Sequence, residues 1–151
     1  MITLKRTNSN DLDFIKLVEH LDSELAIRDG DDHAFYNQFN GISMIKYALV
    51  AYVDDNPIGC GAIKKFDDKT MEIKRMFVLP DFRRKGIAGK ILSGLEEWTK
   101  ELGYQKCVLE TGINQHEALT LYQNSGFMRI PNYGQYADVE NSFCFEKVLK
   151  T

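Results

Sequence analysis

The 151-residue sequence lacks the excess of basic residues that is typical of proteins that bind nucleic acids. It holds 19 lysines and arginines against 22 aspartates and glutamates, which gives a formal net charge of -3 at pH 7. A protein that binds a phosphate backbone usually presents a basic face or stripe. We therefore predict no nucleic-acid partner, and any basic patch in this chain must be local.

Cysteine is scarce, and long hydrophobic runs are missing. The three cysteines are widely separated, which suggests neither a disulfide framework nor a metal site, and the three histidines show no ligand spacing. The first residues, MITLKRTNSNDLDF, lack the apolar core of a signal peptide. No run approaches the roughly 18 apolar residues of a membrane-spanning helix. These absences predict a cytoplasmic protein with no metal ion and no membrane partner.

The sequence also lacks a linker rich in proline, glycine and serine, and it shows no internal repeat. With 44% apolar residues, 151 residues are enough to bury one substantial core and too few for two ordinary domains. We therefore predict a single domain that spans residues 1–151.

The hydrophobic pattern predicts strands and helices in the order β-α-β-β-β-α-β-α-β-β. The strongest helical pattern covers residues 86–102, where apolar side chains recur at steps of three or four. Strands at 70–78 and 106–111 flank this helix, which implies that they pair in parallel. For residues 28–45 the pattern predicts no more than a loop with a short helix. The remaining predictions are strands at 2–6, 47–53, 58–65, 127–130 and 142–149, a helix capped by Asn10 or Asp11, a helix at 116–124, and turns at 54–57 and 67–69.

The fold class that these elements predict is α/β, with a mixed sheet and helices on both of its faces.

A turn with three consecutive cations, Arg83, Arg84 and Lys85, joins the strand at 70–78 to the strongest helix, and Gly86 and Gly89 follow it. A helix N-terminus supplies free amides and a partial positive charge, and glycines let a phosphate approach the backbone. The turn therefore predicts a site that binds a diphosphate. The simpler interpretation is that the three cations are only solvated. Neither a Walker loop nor a Rossmann fingerprint fits these residues.

The stretch Arg83-Arg-Lys-Gly-Ile-Ala88 resembles the Arg/Gln-x-x-Gly-x-Gly/Ala signature of the GNAT superfamily of N-acetyltransferases, in which this turn holds the pyrophosphate of acetyl-CoA. The preceding strand, the following helix and the later NQHEALTLYQNSGF occur in the order that this family uses, so the resemblance covers nearly the whole chain. The C-terminal stretch is similar to that of a subgroup of small bacterial members. The resemblance implies a GNAT fold with about seven strands, and acetyl-CoA as co-substrate. The cofactor-binding residues that it implies are Met76, Phe77, Val78, Arg83, Arg84, Lys85, Gly86, Ile87, Ala88, Gly89, Lys90, Asn114 and Tyr122.

Acetyl transfer to an amine requires a neutral amine, a polarised carbonyl and a stabilised thiolate. The resemblance implies that Glu72 is the general base, that the amide of Met76 polarises the carbonyl, and that Tyr122 is the general acid. Two structural alternatives stay open. Glu72 is also placed to pair with Lys74 or Lys64 across the sheet, and Tyr122 is also a residue that a core would bury.

The resemblance places the acceptor between the early helical segment and the loop before the last strand. Candidate acceptor-binding residues are Arg75, His33, Tyr133 and Tyr136; for Arg75, pairing with Glu110 or Asp81 is the alternative. The sequence thus predicts an acetyl-CoA-dependent N-acetyltransferase that acts on a primary amine of a small molecule, amino acid or polyamine-like, by direct attack in a ternary complex. A non-catalytic acyl-CoA-binding sensor or interaction protein is the alternative, as is an acetyltransferase for protein lysines or N-termini. A homodimer is compatible with the sequence.

Overall fold

The computed structural model describes residues 1–29 and 45–149. Within them, helices and strands follow one another in the predicted order. The strands are β1 (Ile2–Thr7), β2 (Tyr47–Val53), β3 (Asn56–Asp67), β4 (Thr70–Val78), β5 (Lys106–Gly112), β6 (Met128–Ile130) and β7 (Ser142–Val148), and the helices are α1 (Leu12–Asp29), α2 (Ile87–Glu101) and α3 (His116–Asn124).

The strands form one seven-stranded mixed sheet in the order β1-β2-β3-β4-β5-β7-β6. β4 and β5 pair in parallel, as the crossover through α2 predicted, and the other neighbours pair antiparallel. Apolar residues of α1, such as Phe14 and Leu17, pack on one face of the sheet. Apolar residues of α2, such as Ile91 and Leu95, pack in the cluster on the other face together with Tyr122 of α3. The predicted α/β class, with helices on both faces, is confirmed.

The turn between β2 and β3 is shorter than the sequence suggested. Asp54 and Asp55 both adopt positive φ values, 49° and 67°, and β3 already begins at Asn56. Two residues with positive φ are typical of the tight hairpin turn whose twist matches that of the flanking strands. The predicted four-residue turn at 54–57 was wrong in extent, because Asn56 and Pro57 pair with β2.

A bulge in β4 opens the sheet where the site lies. Cys60 of β3 pairs with Phe77 and Ala62 pairs with Lys74, so Arg75 and Met76 together stand opposite a single β3 residue. Arg75 has a φ of 60°, which is rare for a residue with a side chain. β4 and β5 are paired only at residues 70–72 and 106–108. Beyond that point the two strands part, and a cleft forms between them.

Candidate active site

A cavity of about 520 Å³ lies beside the second half of β4. It is enclosed by β4, by the turn that enters α2, by α3 and by two residues of α1. The predicted cofactor-binding residues that line it are Met76, Phe77, Val78, Arg83, Arg84, Gly86, Ile87, Ala88, Gly89 and Tyr122. Lys85, Lys90 and Asn114 are not among the described residues that line this cavity. The structure therefore brings together most of the residues that the sequence had singled out.

The N-terminus of α2 opens onto this cavity. Gly86 is the N-terminal cap with a φ of 79°, and a side-chain carbon added at Gly86 or Gly89 would meet nothing within 4 Å. The first amides of a helix have no partner within the helix, and they carry the positive end of its dipole. This end of the cavity is therefore shaped and polarised for an anion such as a diphosphate.

The three cations of the turn differ in their surroundings. Arg83 donates from Nε to the carbonyl of Val78 at 2.8 Å, and its Nη2 lies 2.8 and 3.0 Å from the two carboxylate oxygens of Glu24. Arg84 is exposed and lines the cavity. Lys85 lies over the ring of Phe82, with Nζ 5.6 Å from its centroid. Arg83 is thus tied to the backbone and to α1, whereas Arg84 is available to an incoming anion.

Sequence reasoning missed Glu24, which lines the same cavity and neutralises Arg83. The two residues are 59 positions apart in the chain. Glu24 belongs to no motif, and its position on α1 carries no local signal of a contact with the turn. Only the packing of α1 across the sheet brings its carboxylate to the guanidinium.

A second cavity of about 120 Å³ lies in the cleft between β4 and β5. Its wall includes Lys74, Arg75, Glu110 and the backbone region at Gly112. The two cavities share a boundary, formed by Leu21, Met76, Gln115, Ala118 and Tyr122. A reactant in the larger cavity and another in the smaller would therefore meet at Met76 and Tyr122.

Glu72 is buried, with 8% of its surface exposed, and it makes two polar contacts. The hydroxyl of Tyr133 donates to its Oε2 at 2.7 Å, and Nζ of Lys74 lies 3.9 Å from its Oε1. Lys64 stands opposite Glu72 in the pairing of β3 with β4. Burial raises the pKa of Tyr133, and the negative charge of Glu72 raises it further, so this hydroxyl stays protonated as a donor. The structure thus contains the ion pair with Lys74 that was the alternative role for Glu72, and Glu72 itself lines neither cavity.

Tyr122 is 5% exposed, and its ring contacts Phe127 and Phe145 at centroid distances of 5.8 and 6.4 Å. It combines the two predicted features, since it packs in the core and also lines both cavities. Burial raises the pKa of Tyr122, with a smaller contribution from Glu110 in the same direction. The phenol is therefore neutral near pH 7 and able to donate a hydrogen bond.

The candidate acceptor residues fall into three situations. Arg75 is buried and pairs through Nη2 with Asp22 of α1 at 2.7 Å, a partner that the sequence had not suggested, while its buried Nε makes no hydrogen bond in the part of the chain described. Tyr136 is buried with its ring 5.9 Å from that of Tyr133, so both lie near Glu72 rather than in the wall of either cavity. His33 lies outside the described residues.

Two further features concern metals and membranes. Within residues 1–29 and 45–149, no three His, Cys, Asp or Glu side chains are grouped so that they could hold a metal ion. Over the same ranges, no helix is long and apolar enough to cross a membrane.

Known proteins resemble this chain in sequence and in fold. Residues 14–127 match the family model described as the acetyltransferase (GNAT) family. The uncharacterized N-acetyltransferase YsnE of Bacillus subtilis (strain 168) is 34% identical over 101 residues, which are 66% of this chain and 67% of that protein. A structure from Klebsiella pneumoniae, assigned as an acyl-CoA N-acyltransferase, superposes with a TM-score of 0.83 at 27% identity and covers 99% of both chains. A GNAT acetyltransferase of Elizabethkingia anophelis with acetyl-CoA bound gives a TM-score of 0.73 at 22% identity over 98% of both chains.

Proposed function

The chain belongs to the GNAT family of acetyltransferases, and from this premise we propose that it moves an acetyl group from acetyl-CoA to the primary amine of a small molecule by direct attack in a ternary complex. The observation that carries this proposal is the pair of cavities that meet at Met76 and Tyr122. One cavity is large and has the N-terminus of α2 at one end, and the other is small and is lined by both charged and apolar residues. Their arrangement fits a long anionic donor and a compact acceptor.

We assign the larger cavity to acetyl-CoA, which the structurally similar protein of Elizabethkingia anophelis binds. The amides at the start of α2, together with Arg84, would hold the diphosphate, because they are donors and a cation in the wall at that end. The edge of β4 from Met76 to Val78 would face the pantetheine arm. Acetyl-CoA supplies an activated thioester carbonyl when it is bound.

In the smaller cavity, the acceptor amine must lose a proton before or during attack. We assign this role to Glu72, directly or through water, since an alkylammonium has a pKa of about 10, a carboxylate is the natural proton acceptor, and Glu72 contacts Lys74 in the cavity wall. Lys74 and Tyr133 orient the carboxylate by their contacts with its two oxygens. A small cavity of about 120 Å³ favours a compact amine over a polypeptide chain.

Tyr122 is the group that lines both cavities and can donate a proton. Full transfer from an ordinary tyrosine to a thiolate would cost roughly 2 kcal/mol, from pKa values of about 10 and 8.5. Burial raises the pKa of Tyr122, so the cost here is larger. We therefore assign to Tyr122 a hydrogen bond to the departing thiolate rather than a complete proton transfer.

Release of free thiol from acetyl-CoA, measured against a panel of amino acids, polyamines and simple alkylamines, tests this function. We expect turnover with at least one compact primary amine and none without an amine. Tight binding of acetyl-CoA without turnover on any amine would instead favour a non-catalytic acyl-CoA sensor. If the protein does not bind acetyl-CoA, both the acetyltransferase function and the sensor function are refuted.

A further inference from the structure

We propose that Lys74 is itself a site of acetylation, modified within its own chain when acetyl-CoA is bound and the acceptor cavity is empty. This inference rests on the proposed function, since it requires acetyl-CoA in the larger cavity. It goes beyond that function because it makes a residue of the protein the acceptor, and thereby provides a means of closing the acceptor site.

The position of Lys74 is the first argument. Lys74 lies on β4 immediately before the bulge, and it lines the smaller cavity. Met76 and Tyr122 line that cavity too, and they also line the larger one. The side chain of Lys74 is only 10% exposed, so its amine is buried beside Glu72 rather than extended into solvent. Lys74 therefore shares the wall of one small cavity with Met76 and Tyr122, the two residues at which an acyl group would arrive.

The neighbours of Lys74 supply the proton acceptor that an amine nucleophile needs. Nζ of Lys74 lies 3.9 Å from Oε1 of Glu72, the residue assigned as the base. Glu110 in the wall of the same cavity adds a second negative charge, whereas Lys64 and Arg75 add positive charge. Burial, together with the positive charges of Lys64 and Arg75, lowers the pKa of Lys74 more than the two carboxylates raise it. The fraction of neutral, nucleophilic amine at Lys74 is therefore larger than at an exposed lysine.

The reaction is the proposed acetyl transfer with Lys74 in place of the acceptor. The nitrogen lone pair attacks the thioester carbonyl carbon, the C–N bond forms, and the C–S bond breaks. The nitrogen loses one proton to Glu72, and the thiolate of coenzyme A leaves and takes a proton from solvent. The product is a neutral amide that occupies space in the acceptor cavity and leaves Glu72 without its cationic neighbour.

Peptide mapping by mass spectrometry, on purified full-length protein incubated with acetyl-CoA alone, tests the proposal. We expect one acetyl group per chain at Lys74, added at least about tenfold faster than at Lys64, because an amine held in the wall of the acceptor cavity reacts as if within one molecule. Lys64 is the matched internal comparison, since it stands opposite Glu72 in the sheet but is exposed. The rate of acetylation at Lys74 should not depend on protein concentration, because the reaction takes place within one chain.

Two variants and one binding measurement separate the outcomes. K64R should retain the modification and K74R should lose it, with acetyl-CoA binding measured on both by calorimetry. If acetyl-CoA binds but Lys74 is modified no faster than Lys64, self-acetylation is refuted and the proposed function stands. If acetyl-CoA does not bind the wild-type protein, both proposals fail together.

Discussion

At the scale of single residues, Glu72 makes structural contacts and is also the residue to which we assign the role of base. Its carboxylate accepts a hydrogen bond from Tyr133 and lies near the ammonium of Lys74. These contacts reduce the cost of burying a charged group. Glu72 lines neither cavity itself, and its contact with Lys74 connects it to the wall of the smaller one. An ion pair with Lys74 and a role as base are therefore compatible.

Substitution of Glu72 by glutamine should separate these roles. Glutamine keeps the shape and can still accept from Tyr133, but it cannot take a proton, so we expect turnover at pH 7 to fall by roughly 10²- to 10⁴-fold with little change in acetyl-CoA affinity. The loss should shrink from pH 7 to pH 9, as more of the amine is already neutral. Steady-state kinetics across this range is the measurement. A loss that is the same at every pH would indicate a structural role.

The contact between Glu24 and Arg83 is the second feature at this scale. It places a carboxylate in the wall of a cavity that is otherwise suited to an anion. Arg83 does not depend on Glu24 alone, because its Nε is also held by the carbonyl of Val78. Glu24 therefore opposes binding of a polyanion more than it organises the site.

We expect Glu24→Gln to tighten acetyl-CoA binding by about fivefold at low salt, which corresponds to about 1 kcal/mol, the interaction of two unit charges about 4 Å apart in water. The gain should decrease in high salt, because the interaction is screened. Titration calorimetry at two salt concentrations measures it. Glu19→Gln is the matched control, since Glu19 is exposed on the same helix and does not line the cavity. If the two substitutions change acetyl-CoA affinity equally, or if Glu24→Gln weakens it, then Glu24 does not oppose anion binding.

At the scale of secondary-structure elements, β4 and α2 form a unit around the turn that joins them. The bulge at Arg75 directs β4 away from β5, and Gly86 turns the chain into α2 with its amides toward the cavity. Gly103 also has a positive φ, at 90°, but it follows the other end of α2. Gly86 and Gly103 therefore share a backbone conformation, but only Gly86 lines the larger cavity.

This difference gives a controlled test of the phosphate site. The first side-chain carbon at either glycine would meet nothing within 4 Å, so Gly86→Glu and Gly103→Glu should each cost about 1 to 2 kcal/mol of stability from the left-handed backbone conformation. We expect Gly86→Glu alone to abolish acetyl-CoA binding, because its carboxylate enters the anion site. Thermal denaturation and calorimetry check the two effects. Unchanged affinity in folded Gly86→Glu would refute the assignment.

At the scale of the whole molecule, a single sheet separates two cores and buries its cysteines. Cys60 packs on the α1 face and Cys107 on the α2 face, and both are 0% exposed. Burial raises the pKa of the Cys60 thiol to about 12 and that of the Cys107 thiol to about 11, from an ordinary value of 9.0. The core on each face of the sheet thus buries a thiol that is favoured there in its neutral form.

This preference for the neutral thiol predicts a loss of stability in alkaline solution. Above pH 9 the thiols of the unfolded chain lose their protons while the folded protein keeps them, so the unfolded state binds fewer protons and the free energy of unfolding falls as pH rises. We expect a fall of about 2 kcal/mol between pH 9 and pH 10 from these two thiols, measured by urea denaturation with a reducing agent. Cys60→Ala should show a shallower fall. A free energy of unfolding that does not change between pH 9 and pH 10 would contradict the prediction.

The order of elements and the cationic turn before α2 were predictable because their signals are local. The helical spacing of α2, the turn residues between strands, and three cations followed by glycine all lie within short stretches. The resemblance to GNAT proteins, confirmed by the family match, rests on the same stretches. Predicted positions for the base and the acid also follow from those stretches, and their chemical roles stay predictions.

Only the tertiary structure decided which side chains surround these groups. Glu24 reaches Arg83 over 59 residues, Tyr133 reaches Glu72 over 61, and Asp22 reaches Arg75 over 53. Contacts at such separations depend on how α1 and the segment before β7 pack against the sheet, and no local pattern encodes them. The sequence by itself therefore determined the family, the strand-turn-helix unit and its backbone donors. Packing decided that Arg83 is neutralised, that Arg75 is paired, and that Lys74 is enclosed beside Glu72.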